Sequence, residues 1–279
     1  MKKIRITDKI LSSLIWVFSF LTVAILAWII IYILCKGIGH VSWNFISTIY
    51  RPGKGLTGIL PMIISTLYLI VLTIAISAPV GIFSAIYLVE YAKEGPVLRI
   101  IRFTTETLAG IPSIIYGLFG FIFFVTSLHL RYSLISGALT LSIMVLPTII
   151  RTTEESLKAV PESYKEGSLA LGATKLTTII RVILPCAIPG ILSAVILSIG
   201  RIVGESAAVI FTAGMSTNIP GSIMDSGRTL TVHLYQLANE GISFQQAYAT
   251  AAVLIIIVAL INISAGKIAS LVKRMTIGG

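Results

Sequence analysis

Arg201 and Glu205 interrupt an apolar run that extends over 188–212. A charge at membrane depth costs roughly 2.5–3.5 kcal/mol on insertion scales, so such residues are normally paired or functional. Four residues apart on a continuous helix, the two would share one face. A guanidinium presents a planar fork of donors that matches two oxygens of an oxyanion. The chemistry expected of an arginine in a pore wall is therefore transient anion contact. Glu205 would hold Arg201 in position and moderate its field, because a site that binds too tightly cannot release. The alternative is a structural Arg–Glu pair that neutralises itself between packed helices. Gly200 and Gly204 form a G-x-x-x-G step in the same run, continued by Ala208, which suits close helix packing in this chain or against a second subunit.

The whole chain must supply the surroundings in which such a pair makes sense. Of 279 residues, 56% are hydrophobic and 11% charged, and mean hydropathy is +0.98. A soluble domain carries roughly a quarter charged residues, so a water-soluble enzyme is excluded and a lipid-embedded chain expected. Spans need about 20 apolar residues, and six runs qualify: 11–35, 59–89, 108–128, 134–150, 188–212 and 246–272. The fold class expected is all-α, a polytopic bundle of six transmembrane helices. The opening Met1-Lys2-Lys3-Ile4-Arg5 resembles the start of a signal peptide, but the apolar stretch behind it exceeds ~7–15 residues and no cleavage site follows, so it is expected to be retained.

Lys and Arg resist translocation and collect on the cytoplasmic side. With both termini inside, fifteen fall inside and five outside (Lys36, Arg51, Lys54, Arg131 and Arg228), with Arg201 within a span. The net charge of +10 then records topology and calls for no nucleic acid. Cys35 and Cys186 fall near opposite faces and should be free thiols. His40, His129 and His233 show no metal-ligand spacing, and no phosphate-binding P-loop motif is present. No catalytic residue, metal or cofactor is expected in the chain. Pro79 and Pro147 should kink their helices, whereas Pro61, Pro112 and Pro189 fall near helix starts. Glu106 is expected at headgroup level.

Two polar segments are too long for turns. The one from Gly214 to about Gln245 reads as loop followed by a mixed stretch, Thr229–Leu237, suited to lying on the membrane surface; it is either a docking surface for an external partner or a plain connection. The other, Arg151 to about Pro185, reads as two short helices, with Pro161 at a first turn, Gly172 as a stop and Thr174 as the next cap. Such a unit suits either a groove on a cytosolic partner or the headgroup surface.

In this second segment the order Glu166, Gly167, Ser168, three residues, Gly172, nine residues, Val182, one residue, Leu184-Pro185 resembles the EAA loop of bacterial ABC-importer permeases. Its pattern is Glu-Ala-Ala, three residues, Gly, nine residues, Ile, one residue, Leu-Pro. Ala109-Gly110-Ile111-Pro112-Ser113-Ile114-Ile115-Tyr116-Gly117, Ala170-Leu171-Gly172-Ala173-Thr174 and Gly200-Arg201-Ile202-Val203-Gly204-Glu205-Ser206-Ala207 are similar, in order, to stretches of the phosphate-specific permeases of the PstA type. The resemblance implies a MetI-like permease fold. Residues 1–58 would be an N-terminal transmembrane helix with an external loop, and 59–275 a permease core with a coupling loop at about 151–185. It also implies a homologous sister permease, a cytosolic dimer of ATP-binding subunits that alone holds ATP and Mg, and an external phosphate-binding protein. Glu166, Gly167, Ser168 and Gly172 would dock on the ATPase, and Arg201 would contact passing phosphate in an inner membrane. A permease for molybdate or sulfate, or an ion-coupled secondary transporter, remains the alternative.

Overall fold

The computed structural model describes residues 6–277; the first five residues, with the expected charges of Lys2, Lys3 and Arg5, lie outside the described residues. The chain runs α1 (Ile6–Gly37), α2 (Trp43–Ser47), a small hairpin β1 (Tyr50–Arg51) and β2 (Leu56–Thr57), then α3 (Leu60–Ile86) and α4 (Pro96–Ala109). It continues with α5 (Ser113–Gly120), α6 (Leu134–Lys158), α7 (Glu162–Ala170), α8 (Lys175–Thr178), α9 (Leu184–Gly204), α10 (Ala207–Thr212), α11 (Leu230–Asn239) and α12 (Phe244–Ile277). Wide π-helical turns extend α3 over Tyr87–Tyr91, extend α5 over Phe121–Ser127, and join α8 to α9 over Ile179–Ile183.

Among the described residues five helices are long and apolar enough to cross a membrane, and α4 with α5 make a sixth span if the pair, bent by 101°, is counted as one. Six spans are as expected when that pair is counted as one, and the expected third run, 108–128, corresponds to α5 and its π-helical extension behind the bend. Pro112 removes a backbone donor and biases Ile111 away from the helical region, so the chain turns there. The fourth run is no short span, because α6 continues as one helix through Lys158. Its start is fixed by Ser133, whose Oγ accepts from Ser136 N at 3.3 Å, and by loop carbonyls of Asp225 and Ile223 that accept from Leu134 and Ile135 N. The fifth helix begins earlier and ends earlier than its apolar run: Pro189 is interior to α9, not at its start, and the helix stops at Gly204.

The core is built on α3, α6, α9 and α10, where Leu69, Leu141, Met144, Ile149, Ile202 and Val209 meet. The α3–α6 crossing is close because Gly81 faces Ile149, where a Cβ would lie 2.6 Å from Cγ2. A second cluster joins the hairpin to the bundle through Phe45, Tyr50, Met62, Leu230 and Val253. The stretch 229–237 expected on the membrane surface packs one face into the protein: Leu230, Val232, His233 and Leu237 of α11 are fully buried, while Tyr235 on the other face is exposed. By contrast α1 packs against α12 and leaves Trp16, Phe18, Phe20 and Trp28 exposed along its length. Cys35 and Cys186 are both free. Gly200 and Gly204 have open space where a Cβ would point, so their small faces pack nothing within this chain.

Gly81→Ala should therefore destabilise the fold by about 1–3 kcal/mol through overpacking, while Gly200→Ala, inside a helix and meeting nothing in this chain, should not destabilise it. Thermal unfolding of the purified chain in detergent distinguishes the two.

Candidate functional site

The α9–α10 region holds the residues singled out from the sequence, but not in the arrangement expected. Arg201 occupies the last turn of α9, half-buried. Glu205 lies just beyond the helix end in extended conformation, φ −81° and ψ 128°. The shared helical face therefore does not exist. The Glu205 carboxylate turns to the next helix, where Oε1 accepts from Ala208 N at 3.2 Å, and it makes no ion pair with Arg201. Glu205 is a cap for α10, not a counter-ion.

Neighbouring groups satisfy the backbone freed by this break. The Thr231 hydroxyl of α11 donates to Val203 O, and Glu205 N donates to Ile202 O at 3.2 Å. Across the gap, α5 packs on α10, bringing Tyr116 within reach of the Arg201 charge. The Tyr116 hydroxyl donates to Leu108 O at 2.8 Å, closing the α4–α5 bend from inside. Tyr116 and Thr231 carry no charge and were invisible as site residues in the sequence. For Tyr116 the only signal was its place in the Ala109–Gly117 stretch.

Among the described residues four cations are half-buried: Arg102, Lys165, Arg201 and Arg228. Arg102 Nη2 pairs with the buried Glu154 at 2.8 Å, and Lys165 Nζ with the buried Glu90 at 2.7 Å. Arg201 and Arg228 have no carboxylate partner among the described residues. Neutral groups hold Arg228: Nε donates to Met215 O at 3.1 Å and Nη1 lies 3.3 Å from His233 Nδ1. Because a guanidinium only donates, Nδ1 must accept, which places the imidazole proton on Nε2. Burial first, and the Arg228 charge second, push His233 down to about 3. Uncompensated arginines in a protein interior are anion-seeking groups.

At the α7–α8 end, the residues read as coupling elements form an exposed unit. No residue of α7 is buried, and Glu166 and Gly167 are exposed. Gly172 adopts φ +83°, a left-handed stop that disfavours side chains, and Thr174 Oγ1 accepts from Thr177 N at 3.2 Å to start α8. Ser168 Oγ and Thr178 Oγ1 share a hydrogen bond of 2.9 Å, which ties α7 to α8. Glu106, with Arg102, Arg151, Glu154 and Lys158, lines a cavity of about 210 Å³. No cluster of metal-ligating side chains occurs among the described residues.

Residues 77–276 match the family described as "Binding-protein-dependent transport system inner membrane component". The chain belongs to this family. It is 33% identical to "Probable ABC transporter permease protein YqgI" of Bacillus subtilis, covering 98% of both chains. It is 32% identical to "Phosphate transport system permease protein PstA" of Mycobacterium leprae, covering 98% of this chain and 92% of that one. Among solved structures, a bacterial alginate ABC transporter superposes with TM-score 0.71 at 14% identity over 96% of each chain. The MetNI methionine transporter does so with TM-score 0.61 at 22% identity, over 81% of this chain and all of that one. This permease is a multi-pass helical membrane protein of the MetI-type fold.

The neutral, buried His233 sets a pH dependence. Below about pH 6.5 the unfolded histidine takes up a proton that the folded one refuses until about pH 3, so stability falls by roughly 1.4 kcal/mol for each pH unit in that window. Melting curves at pH 7.5 and 5 should show this loss in the wild-type permease and not in His233→Gln.

Proposed function

We propose that the permease is one half of the translocation pore of an ATP-driven phosphate importer. The observation that carries this reading is the similarity, over nearly the whole chain, to a phosphate transport permease at 32% identity. The uncompensated Arg201 at the α9 break supports it: half-helix ends and unpaired cations at membrane depth are where transporters meet anionic substrates.

In this reading both termini face the cytoplasm, α7 and α8 project inward, and the α11 end faces outside. A homologous sister permease completes the pore, and the open faces of Gly200 and Gly204 suit close approach by it. A cytosolic dimer of ATP-binding subunits, which holds ATP and Mg, docks on Glu166, Gly167, Ser168 and Gly172, and an external phosphate-binding protein delivers the substrate. The permease itself has no catalytic group and no cofactor. Closure of the ATPase dimer moves α7 and α8, reorients the spans and opens the pathway outward by alternating access. Arg201 then offers its fork to two phosphate oxygens. Glu205 keeps the helix break in shape through Ala208, which leaves the Arg201 charge available.

Labelled phosphate uptake in cells lacking the chain and re-supplied with variants at matched membrane levels tests this. Wild type should restore uptake that follows ATP and survives dissipation of the proton gradient. Arg201→Ala should reduce uptake by about tenfold to a hundredfold, the value of a charged hydrogen bond of roughly 1.5–3 kcal/mol. Gly172→Arg should abolish it. Uptake of sulfate or molybdate instead of phosphate would overturn the substrate assignment, and normal uptake by Arg201→Ala would make that residue structural.

A further inference from the structure

The end of α3 holds a buried carboxylate that the pathway does not use. Glu90 lies in the π-helical turn Tyr87–Tyr91, with 5% of its side chain exposed. An ionised carboxylate this deep needs a partner, and the partner is Lys165 of α7, Nζ to Oε2 at 2.7 Å. A second lysine reaches the same residue. Lys175, which opens α8, donates to the Glu90 backbone carbonyl and lies 4.7 Å from the centroid of the Tyr91 ring. That carbonyl is available because the helix ends one residue later. Both helices of the coupling segment thus converge, through separate ammonium groups, on one residue of a membrane span.

The rest of α7 is poorly anchored. It buries no residue, so apolar packing is too slight to carry a displacement into the bundle. Its other ties are the chain link through Val160 and Pro161, contact with the π stretch Ile179–Ile183 and the Ser168–Thr178 hydrogen bond. Of these, Val160 and the π stretch reach α3 by apolar contact, in the cluster of Ile179 and Ile183 with Ala85, whereas the Glu90–Lys165 pair is the ion pair that joins α7 itself to α3. The other buried glutamate, Glu154, pairs with Arg102 of α4 and Lys158 of its own helix and so ties the bundle to itself. From Glu90 the route into the core is direct, since α3 packs along α6 at Gly81 and Ile149 and bonds to it through Ser142 Oγ and Thr73 O at 3.2 Å. Tyr87 O accepts from Ala92 N at 2.9 Å, an i→i+5 bond of the kind found at functional π-bulges.

We propose that Glu90 is a positioning residue for transport, the point at which movement of α7 is handed to α3 through Lys165. This rests on the reading of α7 and α8 as the ATPase-coupling unit. Docking belongs to the exposed face of α7; transmission belongs to the buried pair behind it. Breaking the pair leaves docking and ATP hydrolysis intact but disconnects them from the pathway.

The test uses the permease assembled with its sister and ATPase subunits in proteoliposomes supplied with the external phosphate-binding protein, comparing wild type, Glu90→Gln, Lys165→Met, Lys165→Arg and the exchange Glu90→Lys with Lys165→Glu. Docking is read by cross-linking from Leu171→Cys, a position 90% exposed. Pathway movement is read by the ATP-dependent labelling of Leu197→Cys on α9, with Cys35 and Cys186 replaced by serine. Glu90→Gln and Lys165→Met should keep the cross-link and ATP hydrolysis, lose the ATP-dependent change at position 197, and lower phosphate uptake per ATP by about fivefold or more, the scale of a typical coupling free energy. Lys165→Arg and the exchange should recover much of both. The proposal is overturned if the neutral variants keep the change at position 197, if they lose the cross-link with it, or if neither the exchange nor Lys165→Arg recovers it. If wild type takes up no phosphate, the substrate reading falls alone, because the labelling readout needs no substrate.

Discussion

A bilayer supplies no water to satisfy a backbone group that a helix leaves unpaired, and this permease interrupts its helices at the α4–α5 bend and between α9 and α10. Each interruption is closed by a side chain from another element. At the α4–α5 bend the Tyr116 hydroxyl satisfies Leu108 O. At the α9–α10 break Thr231 satisfies Val203 O, and the Glu205 carboxylate satisfies Ala208 N. The burial of α11 follows from the same requirement, since Thr231 must sit inside the protein to reach Val203. Leu230 N in turn donates to Thr66 Oγ1 of α3 at 3.0 Å. The candidate pathway residues are therefore held by the need to satisfy the backbone around them.

Charge is distributed by the same economy of partners. At the α7–α8 end both buried glutamates, Glu90 and Glu154, have lysine or arginine within 2.8 Å, and the bundle is electrostatically closed. Toward the α9 break and α11, Arg201 and Arg228 are left without carboxylates. His233 is kept neutral by burial, so it can accept a hydrogen bond from Arg228 without adding charge. One end holds its buried carboxylates in ion pairs, and the other leaves two half-buried arginines without a carboxylate among the described residues.

Much of this was legible in the residues. Apolar runs located the spans, because length and hydropathy alone decide whether a helix can cross a membrane. Gly172 and Thr174 marked a stop and a cap because their backbone chemistry is local, and the structure has both. The break after Gly204 was not legible: the apolar run continues through Thr212, and hydropathy does not sense where hydrogen bonding changes from one helix to the next. Nor was the burial of α11, whose ten residues mix Thr, His and Gln with Leu and Val.

The sequence by itself determined that the chain is a helical membrane protein, which segments are apolar, where the polar α7–α8 segment lies and which charges are costly at membrane depth. These follow from composition and local periodicity. Only the tertiary structure decided which of those charges have partners. Glu205 belongs to Ala208 and not to Arg201, and Glu90 belongs to Lys165, 75 residues away. Partnership between buried groups depends on distances across the bundle, and no spacing along the chain encodes them.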